Sequence, residues 1–333
     1  MSIKGPLADR FGREHTDLRI SVTDRCNVRC RYCMPAEGAE FRPHSEILTY
    51  EEIQRFVRVA ARLGICHLRI TGGEPLVRKD IPRLVEMLAG IPGITEIAMT
   101  TNGILLDRFA GPLKAAGLDR LNISVDTLDR DKFQKITRHD ELPQVLQGIA
   151  AAREAGFENI KLNALAIREF TEDEIAPLAL FAREHGLNLR FIEFMPIDGD
   201  RRWTSDRVLP GVEILEILQR EVGPLIFQQR GGSRSPAAEY RFRDGGGSIG
   251  VIHSVTKPFC EDCDRLRLTA DGRVRNCLFC DDHWDARALL RSGGSQRQLA
   301  QLIQLAVSAK SKTHGSRGGV LTQPDRAMHQ IGG

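Results

Sequence analysis

No apolar run in this 333-residue sequence approaches the roughly 20 residues that span a bilayer. The N-terminus, with Lys4, Asp9, Arg10 and Glu14 close together, lacks the apolar core of a secretory signal. An excess of one charge is missing too: a net +3 is far too small to carry nonspecific nucleic-acid binding. The phosphate-cradling pattern G-x-x-x-x-G-K-[ST] is missing, which argues against an ordinary nucleoside-triphosphate hydrolase. No repeat is found beyond an alternation of strand and helix patterns. With 41% hydrophobic and 27% charged residues, the composition is that of a soluble globular protein. A cytoplasmic location is expected, with neither membrane nor nucleic acid as a partner.

What is present is cysteine, eight in all. In an unexported chain these favour metal binding or catalysis over disulfides. Cys26, Cys30 and Cys33 stand as C-x3-C-x2-C. Three thiolates can hold three irons of a four-iron cube and leave the fourth open to a small molecule. Zinc prefers C-x2-C knuckles with a later partner pair, a pattern this spacing does not meet. Further on, Cys260, Cys263, Cys277 and Cys280 stand as C-x2-C-x13-C-x2-C, which by itself fits a zinc ribbon. Cys66 has no partner spacing and reads as a small core residue.

Short apolar strands alternate with amphipathic helices from residue 17 to about 220. Strands are predicted at 17–23, 67–71, 95–100, 119–125, 159–166 and 188–195, and helices near 50–63, 80–90, 105–116, 143–155, 172–185 and 211–220. Such units imply a parallel sheet, either an open doubly wound one or an incomplete barrel. In the stretch 121–126, Leu121, Ile123 and Val125 share one face, and Asn122, Ser124 and Asp126 the other. A polar inner face suits a wet, ligand-holding barrel, whose chemistry sits at the carboxyl ends of the strands. Thr71-Gly72-Gly73-Glu74-Pro75 follows the second strand, and its glycines allow close backbone approach. From 221 to 245 the rhythm breaks into Gly-rich punctuation, including Gly231–Pro236 and Gly245–Gly247. The chain is therefore divided into a module over 1–221 and a second over 222–333. A last amphipathic helix is predicted at 295–312, before a tail ending Gly332-Gly333.

Basic residues sit inside strands. Arg265 and Arg267, two apart, point to one face, and Arg19, Arg69 and Arg190 also fall within predicted strands. Arginine inside a buried sheet is costly unless it meets an anion, and several converging would suit a triphosphate.

The run Asp17–Thr23 into C-x3-C-x2-C resembles the radical S-adenosylmethionine superfamily and, within it, the GTP 3′,8-cyclase family of molybdenum-cofactor biosynthesis. The GGEP segment at 72–75, Asp264–Gly272, Arg275–Phe279 and the diglycine terminus carry the resemblance on. It implies an α/β fold, an incomplete (β/α)6 TIM-like barrel with a C-terminal cluster-binding module. It implies a lyase with two 4Fe-4S clusters and S-adenosyl-L-methionine, converting GTP to 3′,8-cyclo-7,8-dihydroguanosine triphosphate by radical chemistry. The first step needs no side-chain general base, and none is assigned. Cluster ligands are then Cys26, Cys30 and Cys33, and Cys260, Cys263 and Cys277. Cys280 departs from the three-ligand pattern, as a bystander, the reading favoured, or as a fourth ligand in the absence of substrate. Cofactor contacts fall on Tyr32, Gly73, Ser124 and Met195. GTP contacts fall on Arg19, Arg69, Thr100, Lys161, Arg190, Arg265 and Arg267. The resemblance also implies an electron donor, a homodimer, delivery of product to the cyclic pyranopterin monophosphate synthase, and a tail that reaches the active site.

Overall fold

The computed structural model describes residues 6–228, 235–243, 245–280, 284–313, 316–317, 320–321 and 323–332. The glycine-rich stretch 231–234 and the terminal Gly333 lie outside the described residues.

Six strands form the frame: Asp17–Ser21 (β1), His67–Thr71 (β2), Glu96–Thr101 (β3), Arg120–Ser124 (β4), Ile160–Ala166 (β5) and Asn188–Glu193 (β6). They lie side by side in chain order, every pair parallel. That order separates the two architectures left open above. A doubly wound sheet reverses direction at a switch point, whereas a barrel winds one way only. The chain winds one way, and the sheet does not close, so this is a partial barrel.

Helices fill the crossovers: Tyr50–Arg62 (α1), Ile81–Ala89 (α2), Leu106–Ala115 (α3), Arg130–Thr137 (α4), Leu142–Glu154 (α5), Ile175–Glu184 (α6) and Gly211–Glu221 (α7). Local chemistry sets their starts. Thr49 caps α1, its hydroxyl accepting from the Glu52 amide while the Glu52 carboxylate accepts from the Thr49 amide. Asp129 caps α4 through the Lys132 amide. The apolar faces of these helices pack on the outward-facing Leu18, Ile20, Leu68, Ile70, Leu121 and Ile123, all buried. Helix α4 was not foreseen, because its eight residues bury only Phe133, Ile136 and Thr137.

Strands Leu225–Gln228 (β7), Ala238–Phe242 (β8), Ser248–Ile252 (β9), Arg265–Leu268 (β10), Arg273–Arg275 (β11) and Trp284–Asp285 (β12) come from the C-terminal part. They do not form a sheet of their own. β9 adds in parallel to β6 and β10 in parallel to β1, so the second half of the chain extends both edges of the barrel. Antiparallel β8 and β7 continue one edge, β11 and β12 the other. The twelve strands make one sheet, and residues 253–264 connect β9, beside β6, to β10, beside β1. Helices Ala286–Arg291 (α8) and Gln296–Ser308 (α9) follow, then the short hairpin Ser316–Arg317 (β13) and Val320–Leu321 (β14), and the final turn Met328–Ile331 (α10). Among the described residues no helix is long and apolar enough to cross a membrane.

Candidate active site

The open side of the barrel holds two adjoining cavities. One is walled by Cys26, Cys30, Cys33, Tyr32, Gly72, Gly73, Glu74, Ser124 and Asp126. The other is walled by Arg19, Arg69, Arg190, Arg265, Arg267 and Lys310 with Cys260, Cys263 and Cys277. Thr100, Asn163, Ile192, Met195 and Met328 belong to both walls, so the cavities meet there. Their empty volumes are about 1070 and 1250 Å³, open mouths included.

The first cavity is built on the loop after β1. Gly72 and Gly73 line that cavity and also allow close packing within the chain. A Cβ on Gly72 would fall 2.6 Å from the Thr23 carbonyl oxygen, and one on Gly73 would fall 2.4 Å from that of Arg25. Gly73 and Glu74 donate their amides to those same carbonyls at 2.7 and 2.8 Å. Only glycine lets the end of β2 lie directly against the cysteine loop. Buried Glu74 then accepts from the Thr101 hydroxyl and the Asn102 amide, both at 2.7 Å, and burial pushes its carboxyl up to about 7. Asn102 in turn donates to the Asn27 side chain at 2.8 Å. On the other flank, α4 backs the loop: Arg29 and Arg31 donate their amides to Thr137 and Ile136, and Arg138 donates to the Arg29 and Met34 carbonyls. Tyr32 donates its hydroxyl to Asp126, which also accepts from the Leu165 amide at 2.8 Å. The sequence showed Asp126 on the polar face of β4. That it ties the loop to β5 needed the fold.

None of the eight cysteines is in a disulfide. Burial drives the Cys26 thiol up to about 11 and the Cys33 thiol to about 12, and carries Cys30 well above the usual range, with the neighbouring cysteines adding to it. Three buried thiols that resist ionisation alone and lie within each other's field are a donor set that needs metal charge to become thiolates. Among the described residues no group of three His, Cys, Asp or Glu is arranged to share a single metal ion. A cube, by contrast, takes its ligands at separate corners.

In the second cavity the register of the sheet does what spacing alone could not show. Arg267, Arg19 and Arg69 are direct cross-strand neighbours on β10, β1 and β2, so their side chains form a row on the inner face. Burial lowers all three, with Arg69 and Arg267 brought to about 10 and Arg19 further, and the neighbouring guanidinium groups add to it. Asp17 on the same strand is held below the usual carboxylate range by these arginines, which outweigh its burial. The Nε atoms of Arg19, Arg69 and Arg190 are buried with no hydrogen-bond partner. A crowd of buried cations with unused donors is a site for a polyanion. Arg190 is partly engaged, by Glu239 at 2.6 Å and Ser235 at 3.2 Å. Arg265 lies over the Phe259 ring at 4.6 Å.

Two expected residues stand apart. Lys161, lowered to about 8 by burial and by Arg190, is on neither wall; Asn163, two residues on along β5, is on both. Cys280 is not on the cavity wall, and its thiol donates to the Cys277 carbonyl at 3.1 Å.

The tail also arrives at the site. Arg326 forms a two-pronged pair with Asp271, each contact 2.8 Å, and Met328 donates its amide to Ile197. Ile331 packs with Ile197 and Leu278, against Met195 and Phe279. The Gly332 carbonyl accepts from Arg267 at 2.6 Å. Gly332 has φ +88°, and a Cβ there would lie 2.8 Å from that of Ser21, so no other residue fits.

Comparison with known proteins is in keeping with this geometry. Residues 20–182 match the model of the radical SAM superfamily, and residues 187–316 that described as Molybdenum Cofactor Synthesis C. A GTP 3′,8-cyclase of Rhodopirellula baltica is 51% identical over 330 residues, covering 98% of this chain and 92% of the relative. Relatives of the same name from Moorella thermoacetica and Pelotomaculum thermopropionicum are 47% and 45% identical, each covering 98% of this chain and all of the relative. Among solved structures, Streptococcus suis SuiB superposes with a TM-score of 0.60 at 14% identity, over 89% of this chain and 66% of that one, a likeness of fold.

Proposed function

This chain belongs to the GTP 3′,8-cyclase family of radical S-adenosylmethionine enzymes, and we propose that its two adjoining cavities divide that family's reaction between them. The protein is a radical S-adenosylmethionine enzyme of molybdenum-cofactor biosynthesis that uses two 4Fe-4S clusters and acts on GTP. In our reading Cys26, Cys30 and Cys33 hold the first cluster, and Cys260, Cys263 and Cys277 the second. When bound, the first cluster and S-adenosylmethionine supply one-electron chemistry that removes the 3′ hydrogen of the ribose.

The protein's part is placement. Gly73, Tyr32, Ser124 and Met195 hold the cofactor in the first cavity. Arg19, Arg69, Arg190, Arg265 and Arg267 hold the triphosphate in the second, with Thr100 at the junction and Lys161 behind it. The arginine row across β10, β1 and β2 supports this reading, because buried Arg267 and half-buried Arg19 and Arg69 stand in register and such a group is costly unless it meets negative charge. In this reading the ribose would lie at the shared wall between triphosphate and cofactor, where orientation and exclusion of water do the work. Cys280 stays a bystander.

The family resemblance also supports a cytoplasmic location, an external electron donor, a homodimer and delivery of product to the cyclic pyranopterin monophosphate synthase. A division at residues 221 and 222 accords with the change of rhythm there, although the sheet runs on across it. The test is anaerobic incubation with GTP, S-adenosylmethionine and a reductant. A GTP-dependent cyclised product formed together with methionine is expected, and its absence would overturn the reading.

A further inference from the structure

We propose that Lys310 sets the redox balance between the two cysteine sites, its ammonium making the cluster at Cys260, Cys263 and Cys277 the easier one to reduce. The proposal rests on both sets being cluster sites, as read above.

Lys310 is 3% exposed, two residues beyond α9. Its ammonium lies 3.4 Å from the Cys263 sulfur and 2.8 Å from the Arg265 carbonyl oxygen. The segment around it is fixed on both sides to the segments that bear the cysteines. Upstream, Asn276, next to Cys277, donates to the Ala306 carbonyl at 2.7 Å. Downstream, Arg13 donates to the carbonyls of Ser311 at 2.7 Å, Lys312 at 3.1 Å and Cys260 at 2.6 Å. The cation is therefore held beside one ligand sulfur. Lysine has no need to be there for packing alone, since a buried ammonium is costly unless it meets negative charge.

Reduction adds one negative charge to a cluster. A fixed cation and an N–H···S contact stabilise that charge, and in a buried site the Coulomb effect is much larger than in water. The first set has the opposite surroundings. The carboxyl groups of Glu74 and Asp126 line the same cavity as Cys26, Cys30 and Cys33, and negative charge on either disfavours adding more there.

Iron and acid-labile sulfide are counted first in the anaerobically reconstituted protein. About four irons instead of eight would remove one cluster, and with it both this proposal and the two-cluster reading. With eight present, the two midpoint potentials are followed by electron paramagnetic resonance during redox titration, in wild type and in Lys310→Met, Lys310→Gln and Lys310→Arg. The signals are assigned by their response to S-adenosylmethionine and to GTP. Wild type should show the second cluster at the higher potential. Lys310→Met should move that midpoint to more negative values and leave the first in place, Lys310→Gln should move it less, and Lys310→Arg should restore most of it. Unmoved midpoints, or an equal shift of both, would sink the proposal while leaving the two-cluster reading intact. So would loss of the second cluster in all three variants, which would make Lys310 a structural residue.

Discussion

The two cysteine sites hold three candidate ligands each, yet their surroundings are opposite. Around Cys26, Cys30 and Cys33 the chain supplies backbone, apolar cover and the carboxyl groups of Glu74 and Asp126, and every thiol is pushed upward. Around Cys263 the charges of Lys310 and Arg265 overcome burial and pull the thiol down. A sulfonium cofactor carries positive charge, so a site for it gains nothing from cationic walls. A triphosphate site needs them. On the proposed assignment, the difference between the two sites follows the charge of the molecule each one receives.

The largest effects should come from breaking one site at a time. Cys30→Ala is expected to abolish both cleavage of S-adenosylmethionine and cyclisation, with loss of about four irons per chain. Cys260→Ala should lose a similar amount of iron and all cyclisation, but keep measurable uncoupled cleavage. Identical losses in the two variants would erase the division of labour. Arg265→Ala or Arg267→Ala should next weaken GTP binding by about 10- to 100-fold, the scale of a lost charge-assisted hydrogen bond. Cleavage without GTP should stay near wild type, as read by methionine release.

Smaller effects are expected at the tail. Asp271 is 5% exposed, and although burial opposes it, Arg326 and Thr269 bring its carboxyl down to about 2. Its folded value lies below the unfolded one, so its stabilisation is present above about pH 4 and is lost as pH falls toward 2. Asp271→Asn should cost about 2 kcal/mol at neutral pH and flatten that acid limb, measured by denaturant unfolding across pH. Cys280→Ala is the mildest: unchanged iron content and activity are expected, and a loss of iron would make the second site four-ligand and end its likeness to the first.

Much of this site was legible beforehand because its signals are local. Cysteine spacing, Gly72-Gly73 and the period-two pattern of 121–126 each report on a few neighbouring residues. The six strands and most helices were legible for the same reason. What escaped reading depends on contacts across the sheet. The order β10-β1-β2, which lines up Arg267, Arg19 and Arg69, joins residues some 50 and 250 positions apart. Glu74 and Asp126 act by holding loops together, and nothing in their own neighbourhoods announces it. Lys310 follows a helix whose pattern records only its apolar face.

The pairing of β1 with β10 also bears on how the molecule comes into being. Asp17 meets Arg265 only after nearly 250 further residues have been made. Chains are synthesised at roughly 5–20 residues per second, so that closure waits for about ten seconds or more after β1 emerges. The six-strand frame can assemble around Cys26, Cys30 and Cys33 during that interval, from contacts between successive units. The arginine row and the second cysteine set have no counterpart strand until β10 arrives. The six-strand frame around the first cysteine set can thus form before the arginine row is complete, so that one face of the opening is finished only by the late part of the chain.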